Sequence, residues 1–143
     1  MNRDLCVEWT DGLSFSGTNA SGQSISIDSN RENGPSPMEL MLFGAASCAC
    51  VDLVTILKKA RQDFTGVRVE IGGDRRAEHP RTFTDIELHF IVEGFAVKEQ
   101  YVKRAISLAM TKYCSASAHL AALADIQTSY EIIEADNAEA DTG

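Results

Sequence analysis

The stretch "SPMELMLFGAASCACVDLVTILKKAR", which begins at Ser36, constrains the fold more than any other part of the chain. Its opening is a strong helix start: Ser36 suits the N-cap, Pro37 the first helical position, and Glu39 the second half of a capping box. The helix is expected to run from there to about Arg61. Met38, Leu40, Met41, Leu42, Phe43, Ala45, Ala46, Ala49, Val51, Leu53, Val54, Ile56 and Leu57 make it apolar on nearly every face. A helix hydrophobic all round must be covered on all sides. One small sheet cannot do that, so the helix needs either a central position or a dimer interface around it.

Length and charge narrow the classes. At 143 residues the chain is expected to form one domain, with a core that a partner could complete. Thirteen Lys plus Arg against twenty-one Asp plus Glu give a net charge of -8, which argues against a nucleic-acid surface. Part of that charge lies in the tail "EADNAEADTG". The N-terminus "MNRDLCVEWTDG" lacks an apolar signal segment, and no run is read as a membrane span, so no membrane partner is expected. The default compartment is the reducing cytoplasm, where cysteines are free, metal-binding or catalytic.

Short strands are predicted at Leu5 to Trp9, Leu13 to Thr18 and Ser24 to Asp28, ahead of the Gly-Pro-Ser-Pro loop that leads into the helix. "FTGVRVEIGGDRRAE" and "FTDIELHFIVEGF" alternate and read as a long hairpin joined by "HPRT". A second helix follows over Lys98 to about Tyr113, then a short one capped by Ser115, and "IQTSYEII" is the last strand. The order is β-β-β-α-β-β-α-α-β, an α+β arrangement. Residues 1–134 are expected as one domain and 135–143 as an acidic, disordered tail.

The cysteines carry the possible chemistry. They are Cys6, Cys48, Cys50 and Cys114, with no C-x-x-C pair, and His79, His89 and His119 are scattered. No metal site, nucleotide loop or flavin motif is expected, and no cofactor. Cys48 and Cys50 lie about 200° apart around a helix and cannot bridge each other. A partner for a reactive thiol must come from elsewhere, and Cys114, at the end of the second helix, is the natural candidate. Cys6 falls in a strand, as a small core or edge residue. Free cysteines are also among the most buried residue types, so inert packing is the competing reading.

"GPSPMELMLFGAASCACVDLVTILKKAR", "EHPRTFTDIELHFIVEG" and "KYCSASAHL", in this order, resemble the OsmC/Ohr family of osmotically inducible and organic hydroperoxide resistance proteins, and within it the YhfA-like subgroup. The resemblance covers about Trp9 to Ile133. It implies an OsmC-like fold: an intertwined homodimer whose long central helices are wrapped by antiparallel sheets. It also implies thiol-dependent reduction of organic hydroperoxides, with Cys48 as the peroxidatic residue, Cys114 as the resolving residue and an external dithiol as reductant. A small apolar pocket at the dimer interface would take the alkyl part of the substrate.

Two positions depart from the active members. Met38 stands where they carry a glutamate after the helix-start proline, with Glu39 one position later. The stretch "WTDGLSFSG" lacks their arginine, for which Arg31, Arg75 or Arg76 are the available substitutes. Glu39 and Arg31 are therefore the possible supporting residues. Asp52, one turn after Cys48, opposes thiolate formation unless paired, and is read as the partner of a cation or backbone donor. His119 is read as satisfied by a nearby carbonyl, and Trp9 and Tyr113 as core or pocket-wall residues. The alternative to a peroxidase is a small apolar ligand-binding or redox-sensing protein with little turnover, and the third reading is a structural pair of buried thiols.

Overall fold

The computed structural model describes residues 1–136, and the chain forms two compact units, Met1–Met41 and a second that begins at Leu42. Of the expected tail, residues 137–143 lie outside the described residues.

In the first unit, β1 (Cys6–Asp11), β2 (Ser14–Thr18) and β3 (Ser24–Asp28) make an antiparallel meander in the order β1-β2-β3. The "DG" turn is held by Trp9, whose indole Nε1 donates to Gly12 O at 2.8 Å. Trp9, expected as a core or pocket-wall residue, is 68% exposed, which corrects the core half of that expectation. Asp28 organises the loop after β3. Its carboxylate accepts from Asn30 N–H at 2.8 Å and from Asn33 N–H at 3.0 Å, and Arg31 turns the chain at φ 59°. Gly34 is required here, because a Cβ would collide with the Ser26 carbonyl.

Helix α1 (Pro37–Lys59) begins as its capping box predicts. Glu39 N–H donates to Ser36 Oγ at 3.1 Å, and Ser36 N–H donates to Glu39 Oε1 at 3.0 Å. These bonds hold the Glu39 carboxyl below its usual range, with a smaller contribution from the Arg31 charge. By length and composition α1 could cross a membrane, which corrects the reading that no run approaches a span.

The second unit carries the core. β4 (Asp63–Arg75) and β5 (Phe83–Phe95) form the long antiparallel hairpin, and β6 (Asp125–Glu134) lies beside β5. β6 runs parallel to β5, so this sheet is mixed, unlike the wholly antiparallel one expected. The chain reaches β6 through two helices rather than a tight turn, as a parallel neighbour requires. Central β5 buries Phe83, Ile86, Leu88, Phe90, Ile91 and Val92. Ala45, Ala49, Leu53 and Leu57 repeat every four residues and form the one fully buried stripe of α1. The opposite stripe includes Phe43 at 57% and Val51 at 65% exposure among the described residues.

Helix α2 (Glu99–Leu108) stops short of the predicted end, and a π-helical turn, Ala109–Tyr113, follows before α3 (Ser115–Ala121). Within that turn the Thr111 hydroxyl donates to Ser107 O at 2.6 Å, competing for a carbonyl of the regular ladder. The Cys114 N–H then donates to Ala109 O at 2.7 Å, the wider π spacing. The N-cap of α3 is Cys114, not Ser115: its sulfur accepts from Ser117 N–H at 3.4 Å.

Candidate functional site

Cys48 stands in the middle of α1 and is half-buried, while Cys114, at the junction of the π turn and α3, is only 4% exposed. The π turn sets where Cys114 points, because it adds a residue to the helix just before the cysteine. The Cys48 and Cys114 sulfurs and a carboxylate oxygen of Asp52 all lie within 4.8 Å of one another. The spacing Cys48 to Asp52 is one helical turn, so both face the same way. All four cysteines are free.

The Cys114 thiol is enclosed. Its sulfur lies 2.9 Å from the buried Ser117 Oγ and 3.7 Å from Ala45 O, and the single S–H proton can serve one of them at a time. Burial pushes the Cys114 thiol above its ordinary range, the neighbouring Cys48 adds to this, and the bonds from Ser117 oppose it. Cys50 points away from the pair, and burial alone pushes its thiol up. Cys6 is exposed on the edge strand β1.

Asp52 departs from its sequence reading. Its Oδ2 is buried and has no hydrogen-bond partner, and among the described residues no lysine or arginine pairs with the carboxylate. It also forms part of the wall of a cavity of about 430 Å³. Ile56 and Lys59 of α1, Tyr101, Arg104 and Leu108 of α2, and Tyr113 complete most of that wall. The cavity is within the usual size for a small-molecule site. It joins apolar side chains to two cations that sequence reasoning did not single out. Arg104 falls on the charged side of an amphipathic helix, where a solvated role is the ordinary one. The signal available was its helical phase against Tyr101 and Leu108, which puts all three on one stretch of surface. Tyr113 takes its expected place as a wall residue.

The remaining candidates have local partners. Glu39 is occupied by the cap, and Arg31 belongs to the loop organised by Asp28. The Arg75 guanidinium Nε donates to Arg81 O at 2.8 Å, at the exposed end of the β4–β5 hairpin. The His119 ring, as expected, meets a carbonyl, that of Ser115, at 2.8 Å. Cys48, Asp52 and Cys114 are the residues that could hold a thiophilic metal ion.

Comparison with known proteins agrees with this architecture. The family description "OsmC-like protein" matches residues 29–129, a span that crosses both units. Protein YhfA of Escherichia coli K12 is 45% identical over 130 residues, covering 90% of this chain and 97% of that protein. A crystal structure of a hypothetical protein from Aquifex aeolicus aligns with a TM-score of 0.85 at 29% identity, over 95% of this chain and 99% of that one. The organic hydroperoxide resistance protein OhrB of Bacillus subtilis shares the fold at a TM-score of 0.60 and 16% identity, over 89% of this chain and 97% of that one. A half-buried thiol in a long apolar helix, facing a buried thiol after the second helix, thus sits in a fold and a sequence match that agree, and the chain belongs to the OsmC family, in its YhfA-like subgroup.

Proposed function

We propose that the protein is a thiol-dependent reductant of organic hydroperoxides in which Cys48 attacks and Cys114 resolves. The observation that carries this reading is the approach of the two sulfurs to within 4.8 Å, one half-buried and the other enclosed. The Cys48 thiolate attacks the O–O bond, becoming a sulfenic acid and releasing the alcohol after one proton transfer. The Cys114 thiol then condenses with it, forming the disulfide and releasing water. An external dithiol restores both thiols and leaves as its own disulfide. Bonding requires the sulfurs to close to about 2.05 Å, which rotation about the side chains and a small backbone adjustment would supply. The cavity meets the thiol pair through Asp52 alone, since neither cysteine lines it, and its Ile56, Tyr101 and Leu108 side chains suit the organic part of the peroxide.

Residues 1–134 act in this reading as one functional domain, and the exposed apolar stripe of α1 is covered by a second copy in a homodimer. Organic hydroperoxide resistance is what the name of the Bacillus subtilis relative states, and that likeness adds weight to the chemistry. Free thiols suit a reducing cytoplasm.

Peroxide consumption with cumene hydroperoxide and a dithiol tests the proposal. Wild type should turn over, Cys48→Ser should fall to the dithiol background, and Cys114→Ser should accumulate a sulfenic acid that dimedone traps. Equal consumption by wild type and Cys48→Ser would sink it.

Asp52 favours a second reading. The Cys114 thiol is pushed above its ordinary range by burial, and an unpaired carboxylate stands beside the pair. The pair would then oxidise slowly, and the protein would serve as a ligand-binding or redox-sensing protein with little turnover. Saturable binding of a small apolar ligand without peroxide consumption is the result that would select it.

A further inference from the structure

We infer that Cys48, Asp52 and Cys114 form a binding site for a thiophilic divalent cation, zinc in the first instance. The sequence offers no metal-ligand spacing, since Cys48 and Cys114 lie far apart along the chain. Folding nevertheless assembles two thiols and a carboxylate, with one donor atom from each within 4.8 Å of the others. Donor atoms around tetrahedral zinc lie about 3.3–3.8 Å apart, given zinc–sulfur and zinc–oxygen bonds near 2.3 and 2.0–2.2 Å. A contraction of at most about 1–1.5 Å therefore suffices.

A second observation points to the same ligand. The buried Asp52 Oδ2 has no hydrogen-bond partner, which leaves a buried polar oxygen unsatisfied. A cation held by the two thiols and the Asp52 carboxylate would supply the missing partner. The chemistry balances simply: the two thiols release their protons to solvent, and two thiolates plus one carboxylate bind the dication in a complex of net charge -1. Two sulfurs select zinc over magnesium or calcium. Asp52, unlike Cys48 and Cys114, also lines the cavity, so a water or ligand in the fourth position would approach from the Asp52 side.

Metal occupancy and disulfide formation exclude each other, because both use the same sulfurs. The site thus gives the thiol pair an inhibited, oxidation-protected state. Metal binding itself does not depend on peroxide turnover: loss of peroxidase activity with retained metal binding would remove the proposed reaction alone.

Cobalt(II) titration of the reduced full-length protein provides the test. One cobalt per chain should bind with a sulfur-to-metal charge-transfer band and tetrahedral visible bands. Asp52→Asn should weaken binding at least about tenfold, since even the hydrogen-bond partners of metal ligands are worth about 10–100-fold in affinity. Cys114→Ser should lose about half the charge-transfer intensity, while Cys50→Ser and Cys6→Ser should bind as wild type. Circular dichroism identifies folded variants. No charge-transfer band with one equivalent of cobalt overturns the inference. So does an affinity unchanged in folded Asp52→Asn, or a band abolished in Cys50→Ser or Cys6→Ser.

Discussion

The two sheets of the molecule are built from similar alternating sequences and reach different states of burial. In the β4-β5-β6 sheet, the central strand places six large apolar residues in the core, and Phe90 and Val92 are fully enclosed. In the β1-β2-β3 sheet, every residue of β1 is exposed, and Leu5, Val7, Trp9, Leu13 and Ile25 of this unit are all large, apolar and open. The only fully buried residue of Met1–Met41 is Asp28. Three strands need a covered hydrophobic face for independent stability. The lesson is that alternation specifies a strand and its two faces, but not what covers the apolar one. A neighbouring element does so in the second unit; in the first, and along the outer stripe of α1, we propose a second copy of the chain.

Substitutions can break this contrast at either end. Phe90→Ala should have the largest effect, about 3–5 kcal/mol lost in urea unfolding, because the ring is wholly enclosed. A loss below about 1 kcal/mol would place Phe90 outside a close-packed core. Leu53→Ala, from the buried stripe of α1, should cost about 2–5 kcal/mol. Trp9→Ala and Val51→Asp should behave differently. Each should leave secondary structure intact while shifting the mass by light scattering toward a single chain, and the wild-type unfolding midpoint should rise with protein concentration. A wild-type protein that stays a single chain at all concentrations would remove the second copy from the account.

A smaller effect should follow from pH. Hydrogen bonds from Asn30 and Asn33 hold the Asp28 carboxyl below its usual range, and the Ser36 bonds do the same for Glu39. A carboxyl with a depressed folded value contributes stability above its unfolded value and loses it as pH falls through the folded one. Acidification should therefore loosen the β3–α1 loop ahead of the β4–β5 hairpin. Amide exchange at Asn30, Asn33 and Glu39, compared at neutral and acid pH, measures this, and Asp28→Asn should reproduce part of it at neutral pH. Protection unchanged by either would contradict the role assigned to Asp28.

Much of this was legible in the sequence where the cause is local. The Ser36–Glu39 box placed the start of α1, and β3 falls where alternation puts it, at Ser24–Asp28. Both depend on residues a few positions apart. The parallel partner of β5 depends on how distant segments meet, whereas the π turn before Cys114 and the cap role of that cysteine rest on local bonds that hydrophobic periodicity does not report. A continuous apolar phase from Tyr101 to Met110 reads as one regular helix, and the Thr111 hydroxyl that interrupts it is chemically ordinary. For the site, the helical phase of Cys48 and Asp52 was readable, and the family resemblance pointed to Cys114. That Asp52 lacks a partner, and that Lys59 and Arg104 share its cavity, follows only from tertiary packing.

The pairing of Cys48 with Cys114 is the central claim, and mapping cysteine modification by peptide mass tests it most directly. The reduced protein is alkylated with iodoacetamide across a pH series, before and after a stoichiometric pulse of cumene hydroperoxide. Cys48 should alkylate ahead of Cys114, which is enclosed and pushed up by burial. After the pulse both should become protected together and appear as one linked peptide pair. A Cys48 that survives the pulse unmodified, or a disulfide that joins Cys48 to Cys50 or Cys6, would contradict the account.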